Sequence, residues 1–132
     1  MKPRLLLIAL LSLSSGPAYA EWVLFSETQT GLTVYVDPDT IRREGDLVKM
    51  WQLLDYKTIQ TVAGDSFLSS KTQSEYDCAG ERMRVLEFMN FSGNMGSGSD
   101  NVVSIVADEK TWIPIVPESP GKRLWKVACA KK

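Results

Sequence analysis

From Leu68 to Cys78 the chain alternates without a break: Leu68, Ser70, Thr72, Ser74, Tyr76 and Cys78 share one side, and Ser69, Lys71, Gln73, Glu75 and Asp77 share the other. Successive side chains of a β-strand point to opposite faces, so this period of two predicts a strand whose charged face is wet. The strand ends on one of the chain's two cysteines, Cys78 and Cys129. In an oxidising compartment an even pair in a small exported domain is expected to form a disulfide. Such a bridge would pin the segment around Cys129 to the end of this strand, and in the chain-entropy picture it stabilises by roughly 4 kcal/mol. A redox or metal role fits the pair poorly, because there is no C-x-x-C spacing and no histidine.

The compartment is read from the N-terminus. Lys2 and Arg4 form a basic start, Leu5 to Leu13 is apolar apart from Ser12, Gly16 and Pro17 break any helix, and Ala18-Tyr19-Ala20 offers small residues for cleavage. The apolar run is too short to span a bilayer. Residues 1–20 therefore read as a signal peptide cut between Ala20 and Glu21, leaving a single domain over residues 21–132. No cysteine stands at the end of this segment to accept a lipid, so the expected location is the periplasm, the outer surface or the medium, without a lipid anchor. Removing Lys2 and Arg4 from the 15 basic residues leaves the 16 acidic ones in modest excess, a balance that argues against a nucleic-acid partner.

The remaining segments are mostly short and β-like. Trp22 to Ser26 and Leu32 to Val36 read as strands joined by a turn at Gln29-Thr30-Gly31. Asp37-Pro38-Asp39-Thr40 reads as a strand stop, followed by one helical turn over Ile41 to Glu44 and a hairpin signal at Gly45-Asp46. Leu47 to Tyr56 is apolar on both faces, Val48, Met50 and Leu54 on one and Leu47, Trp51 and Leu53 on the other, which predicts a central strand covered on each side. A helix would supply one cover; a partner subunit could supply the other. Arg82 to Phe91 and Asn101 to Ala107 read as strands around a flexible, glycine-rich loop, and Trp112 to Pro117 as an extended crossing segment. Ser119-Pro120 opens a helix, with Leu124, Val127 and Ala128 on its apolar stripe and Trp125 and Cys129 beside it. The fold class is α+β: an antiparallel sheet with a C-terminal helix packed on one face.

No catalytic, cofactor or metal site emerges. Gly64-Asp65-Ser66-Phe67-Leu68 looks like the nucleophile block of a group of serine esterases, but Ser66 has no histidine to remove its proton. A Ser69–Lys71 pair would share a charged, solvated face where lysine keeps its proton. Asp37, Asp39, Glu44 and Asp46 invite calcium, but Ile41 occupies the fifth position of the would-be loop and glycine is missing from the sixth. Asp108 and Glu109 show no spacing for acid and base roles. Gly93, Gly96 and Gly98 lack the Gly-Lys-Ser/Thr of a phosphate loop. Arg82 and Arg84 on one strand face, and Arg42-Arg43 in a turn, read as solvated surface among interspersed acids. The four tryptophans leave two readings open, core packing or an exposed aromatic binding patch.

In the order of its segments the chain resembles the surface-adhesin protein E family of Gram-negative envelope proteins. The resemblance is carried by "EWVLFSET", "YVDPDTIRREG", "WQLLDY", "SSKTQSEYDCAGERMRVL", "MGSG" and "TWIPIVPESPGKRLWKVAC", from Glu21 to Cys129. It implies about six antiparallel strands with a C-terminal helix, a Cys78–Cys129 disulfide and a tendency to dimerise. It also implies a non-enzymatic adhesive role towards host matrix or plasma proteins such as vitronectin and laminin. The alternative is a periplasmic accessory protein with an endogenous envelope partner.

Overall fold

The computed structural model describes residues 21–104 and 109–130. The expected signal peptide and its cleavage residue Ala20 lie outside these, as do Ile105 to Asp108; Glu21 is the first described residue and is exposed. Strands β1 (Val23–Glu27), β2 (Leu32–Glu44), β3 (Leu47–Val62), β4 (Asp65–Asp77), β5 (Arg82–Phe91) and β6 (Asp100–Ser104) form an antiparallel meander in chain order. A short β7 (Ile113–Pro114) pairs with Arg82 and Met83, on the same edge of β5 that β6 occupies further along. The helix α1 (Pro120–Ala130) follows.

The predicted helical turn at Ile41–Glu44 does not form. β2 runs through Asp37-Pro38-Asp39-Thr40, but its register against β3 jumps from Asp37↔Trp51 to Arg42↔Lys49. Side chains replace the missing ladder bonds. Asp37 Oδ1 accepts the Asp39 amide at 3.1 Å, and Thr40 Oγ1 donates to Asp37 O at 2.6 Å while accepting the Trp51 amide at 3.0 Å. The turn chemistry was legible, but it makes a bulge within a strand, where Pro38 can be tolerated, and it carries Ile41 into the core. The β3–β4 turn also shifts by one residue: Ala63 (φ 51°) and Gly64 (φ 82°) form it, and Asp65 already pairs with Val62.

On one face of the sheet, Val36, Ile41, Val48, Met50 and Tyr76 meet Ala128 of α1, with Leu124 and Val127 beside them. Ser119 caps the helix, its Oγ accepting the Lys122 amide at 3.2 Å and donating to Val116 O at 2.6 Å. Trp125 Nε1 donates to Asp77 O at 2.9 Å, and Cys78 is bonded to Cys129 with the Cα atoms 5.7 Å apart. Arg43 reaches the Cys129 carbonyl at the far end of α1.

The opposite face of β4 is not the wet face that alternation predicted: Ser69 is 0%, Glu75 6% and Asp77 8% exposed. Its cover comes from elsewhere in the chain. The segment from Ser92 to Ser99 folds back, so that Ser69 Oγ donates to Gly93 O at 2.6 Å and accepts the Gly96 amide at 2.9 Å. The amides of Asn94 (Nδ2) and Met95 (backbone) both donate to Asp55 Oδ1. This segment is tied down by hydrogen bonds, contrary to the flexible loop expected from its glycines.

Candidate functional site

The helix covers only part of its face. Beyond it, Leu54 and Tyr56 from β3, Thr72 from β4 and Val85 and Phe88 from β5 line a shallow groove of about 320 Å³. The pairings Leu54↔Ser70, Thr72↔Phe88 and Phe88↔Val103 place these residues on one face of adjacent strands. Phe67 and Tyr56 meet edge to face at 5.9 Å, and burial pushes the Tyr56 phenol above its ordinary pKa. At the rim Val62 is 62% exposed, and Asp65 accepts hydrogen bonds from Asn90 and Asn101. Among the described residues nothing packs over this half of the sheet, leaving an apolar groove with a hydroxyl-bearing floor. Such a groove can bind another apolar surface.

A second cavity, of about 250 Å³, opens on the opposite face and is lined by Trp22, Asp37, Thr40, Trp51, Lys71 and Met89. Asp37 and Trp51 are direct cross-strand neighbours, as are Lys71 and Met89, and the fully buried Leu53 pairs with Lys71 between them. Lys71 Nζ lies 5.2 Å from the centroid of Phe91 and 6.0 Å from that of Trp22. Nothing in the linear spacing announced this constellation, because its members come from the chain before β1 and from four different strands.

The residues singled out from the sequence are scattered. Ser66 lies exposed at the start of β4, its hydroxyl 3.1 Å from that of Thr61. Ser69 and Lys71 do share a face, but the Ser69 hydroxyl is spent on Gly93 and Gly96, and the face is covered rather than solvated. Asp37 is buried in the β2 bulge while Asp39, Glu44 and Asp46 are exposed, and the described residues contain no cluster of acids, histidines and cysteines able to hold a metal. Asp108 lies outside the described residues. Arg82 and Arg84 are not free surface charges. Arg82 binds Asp77 at 2.9 Å, Arg84 binds Glu75 at 2.7 Å, and the Trp112 ring lies 4.6 and 4.0 Å from the two guanidinium carbons. Asp77 also accepts the amides of Ala79 and Gly80; the Arg82 hydrogen bond, with these, holds its carboxyl below the ordinary range despite burial. The tryptophans therefore divide: Trp112 and Trp125 knit the fold, whereas Trp22 and Trp51 line a cavity.

No helix among the described residues is long and apolar enough to cross a membrane. No curated protein matches the chain in sequence. Among solved structures the fold is similar to Haemophilus influenzae protein E in crystal form II, at 12% identity and a TM-score of 0.63, over 86% of this chain and 91% of that one. Its selenomethionine form gives 12% identity and a TM-score of 0.61, over 87% and 90% of the two chains. Protein E from non-typeable Haemophilus influenzae gives 12% and 0.56, over 85% and 86%. At that identity the likeness carries the meander, the terminal helix and their order, and no residue roles. In sequence, residues 22–130 match the family described as surface-adhesin protein E, a span that takes in both cysteines and every strand described above, and the chain belongs to that family.

Proposed function

We propose that the protein is a non-enzymatic, exported binding module of the cell envelope that engages a protein partner through the uncovered half of the helix-side face. The observation that carries this reading is the apolar groove beyond α1, walled by Leu54, Tyr56, Val85 and Phe88 and fringed by the exposed Val62. Apolar surface left in water on a stable, disulfide-tied sheet is the usual substrate of protein association. Membership of an adhesin family supports a partner outside the cell; the signal-like N-terminus supports the route to it.

The test is binding of the purified protein to immobilised extracellular-matrix proteins, compared with Val62→Asp and Phe88→Ser variants. Saturable binding that weakens about tenfold or more in both variants, with melting temperature kept in Val62→Asp, supports the reading. Binding no better than that of an unrelated exported domain, or unmoved by either variant, ends it. Sedimentation separates an external partner from a second copy: a dimer dissociated by Val62→Asp would assign the groove to self-association instead. Surface protease shaving and fractionation of intact cells decide between host and envelope partners, since a wholly periplasmic protein meets only the latter.

A further inference from the structure

The cavity on the face opposite α1 is walled mostly by apolar surface, with a carboxylate and an ammonium among its lining residues. Asp37 is only 3% exposed, its Oδ1 accepts the Asp39 amide, and its Oδ2 has no hydrogen-bond partner among the described residues. No side-chain oxygen or nitrogen among them is both sealed from solvent and unpartnered, so Oδ2 keeps an opening, and the space that Asp37 lines is this cavity. The end of the Lys71 stem lies against Gly96: a Cβ placed there would be 2.7 Å from Lys71 Cε. Its ammonium rests near the Phe91 and Trp22 rings and makes no ion pair with a described carboxylate.

A carboxylate, an ammonium and two tryptophans thus line about 250 Å³. The ligand class follows by elimination. A wholly apolar ligand would strip water from Asp37 and Lys71 without replacing its hydrogen bonds, which is costly. A simple cation or anion would meet one like charge for each opposite one. A drug-sized molecule needs more room. A group with polarised C–H bonds on one face and hydroxyls round its edge suits this lining: its C–H face lies on an electron-rich indole face, and its hydroxyls donate to Asp37 and accept from Lys71. The geometry points to a binding site for one pyranose unit of an uncharged glycan, held between Trp22 and Trp51 with Asp37 and Lys71 as its polar anchors. This site lies on the face opposite the protein-binding groove, so either assignment stands or falls without the other.

The experiment titrates the purified protein with maltotetraose, cellotetraose and chitotetraose, following tryptophan fluorescence and calorimetry, with a sulfated tetrasaccharide as a charged competitor. At least one uncharged oligosaccharide should bind saturably with a Kd on the order of 1 mM or tighter. Asp37→Asn keeps the acceptor for the Asp39 amide, and Lys71→Met keeps the packed stem; each should weaken binding about tenfold while the melting temperature is retained. The inference is overturned if none of the three oligosaccharides binds, if both folded variants bind like the native protein, or if the sulfated sugar binds more tightly than every uncharged one.

Discussion

Gln52 donates through Nε2 to the phenolic oxygen of Tyr76 at 2.7 Å, diagonally across the β3–β4 pair and inside the core. Ser74 Oγ donates to Oε1 of the same glutamine at 2.9 Å, so three buried side chains satisfy one another. Tyr76→Phe keeps the ring and strands the Gln52 amide. Unfolding in urea should show a loss of about 1–3 kcal/mol with little change in m. Adding Gln52→Met and Ser74→Ala should recover part of that loss, because all three polar groups are then gone; no recovery would mean that this network is not the source.

Burial pushes the Tyr76 phenol up to about 12 from an ordinary 10.0, outweighing its hydrogen bonds with Ser74 and Gln52. The folded state therefore holds this proton more tightly than the unfolded chain. The resulting stability is complete below pH 10 and is lost as pH rises from 10 towards 12. Tyr56 is shifted the same way, so the informative quantity is a difference. The gap in stability between the native protein and Tyr76→Phe should shrink across that window, and a constant gap would refute the assignment.

Asp77 behaves in the opposite sense. Its folded carboxyl is held below the ordinary 3.8, chiefly by Arg82, so its contribution is present above that value and is lost as pH falls through the folded one. Melting temperatures measured between about pH 2 and pH 7 should show Asp77→Asn to be less stable at neutrality and less sensitive to acid than the native protein. Gly80→Ala should act similarly at neutrality, since its Cβ would lie 2.6 Å from Asp77 Oδ2.

Asp77 also marks how far the sequence could be read. Alternation placed β4 and sorted its two faces correctly, because period two is a property of the strand itself. It could not show that Glu75 and Asp77 are covered, because their partners Arg84 and Arg82 lie on the next strand and Trp112 arrives from far along the chain. The cysteine link was legible, since two thiols in an exported domain leave one pairing. The Asp37-Pro38-Asp39-Thr40 chemistry was legible as a turn, but whether a turn ends a strand or bulges within it depends on the neighbour's register. The same register builds the Trp22–Trp51 cavity, which no local pattern could foretell.

Cys78 and Cys129 join α1 to the end of β4 across a separation of 51 residues. Replacing both by serine should lower stability by roughly 4 kcal/mol, and less if the reduced chain stays compact. The helix should be the first element released: Trp125 would lose its contact with the Asp77 carbonyl, shifting its fluorescence to the red before the sheet melts. A variant whose melting temperature matches the native protein in oxidising buffer would show that the bridge contributes nothing.

Gly96 and Gly45 separate two costs that glycine substitutions usually confound. Both have positive φ, +73° and +62°, so alanine is disfavoured at each by about 1 kcal/mol. At Gly45 an added Cβ meets nothing within 4 Å, whereas at Gly96 it would meet Lys71 Cε at 2.7 Å. Gly96→Ala should therefore cost more than Gly45→Ala, and it should act at a particular place. The Met95 and Gly96 amides, which donate to Asp55 and Ser69, should exchange with solvent faster in Gly96→Ala and at the native rate in Gly45→Ala. Equal losses in the two variants, with unchanged exchange at Met95 and Gly96, would mean that the folded-back segment does not depend on its packing against Lys71.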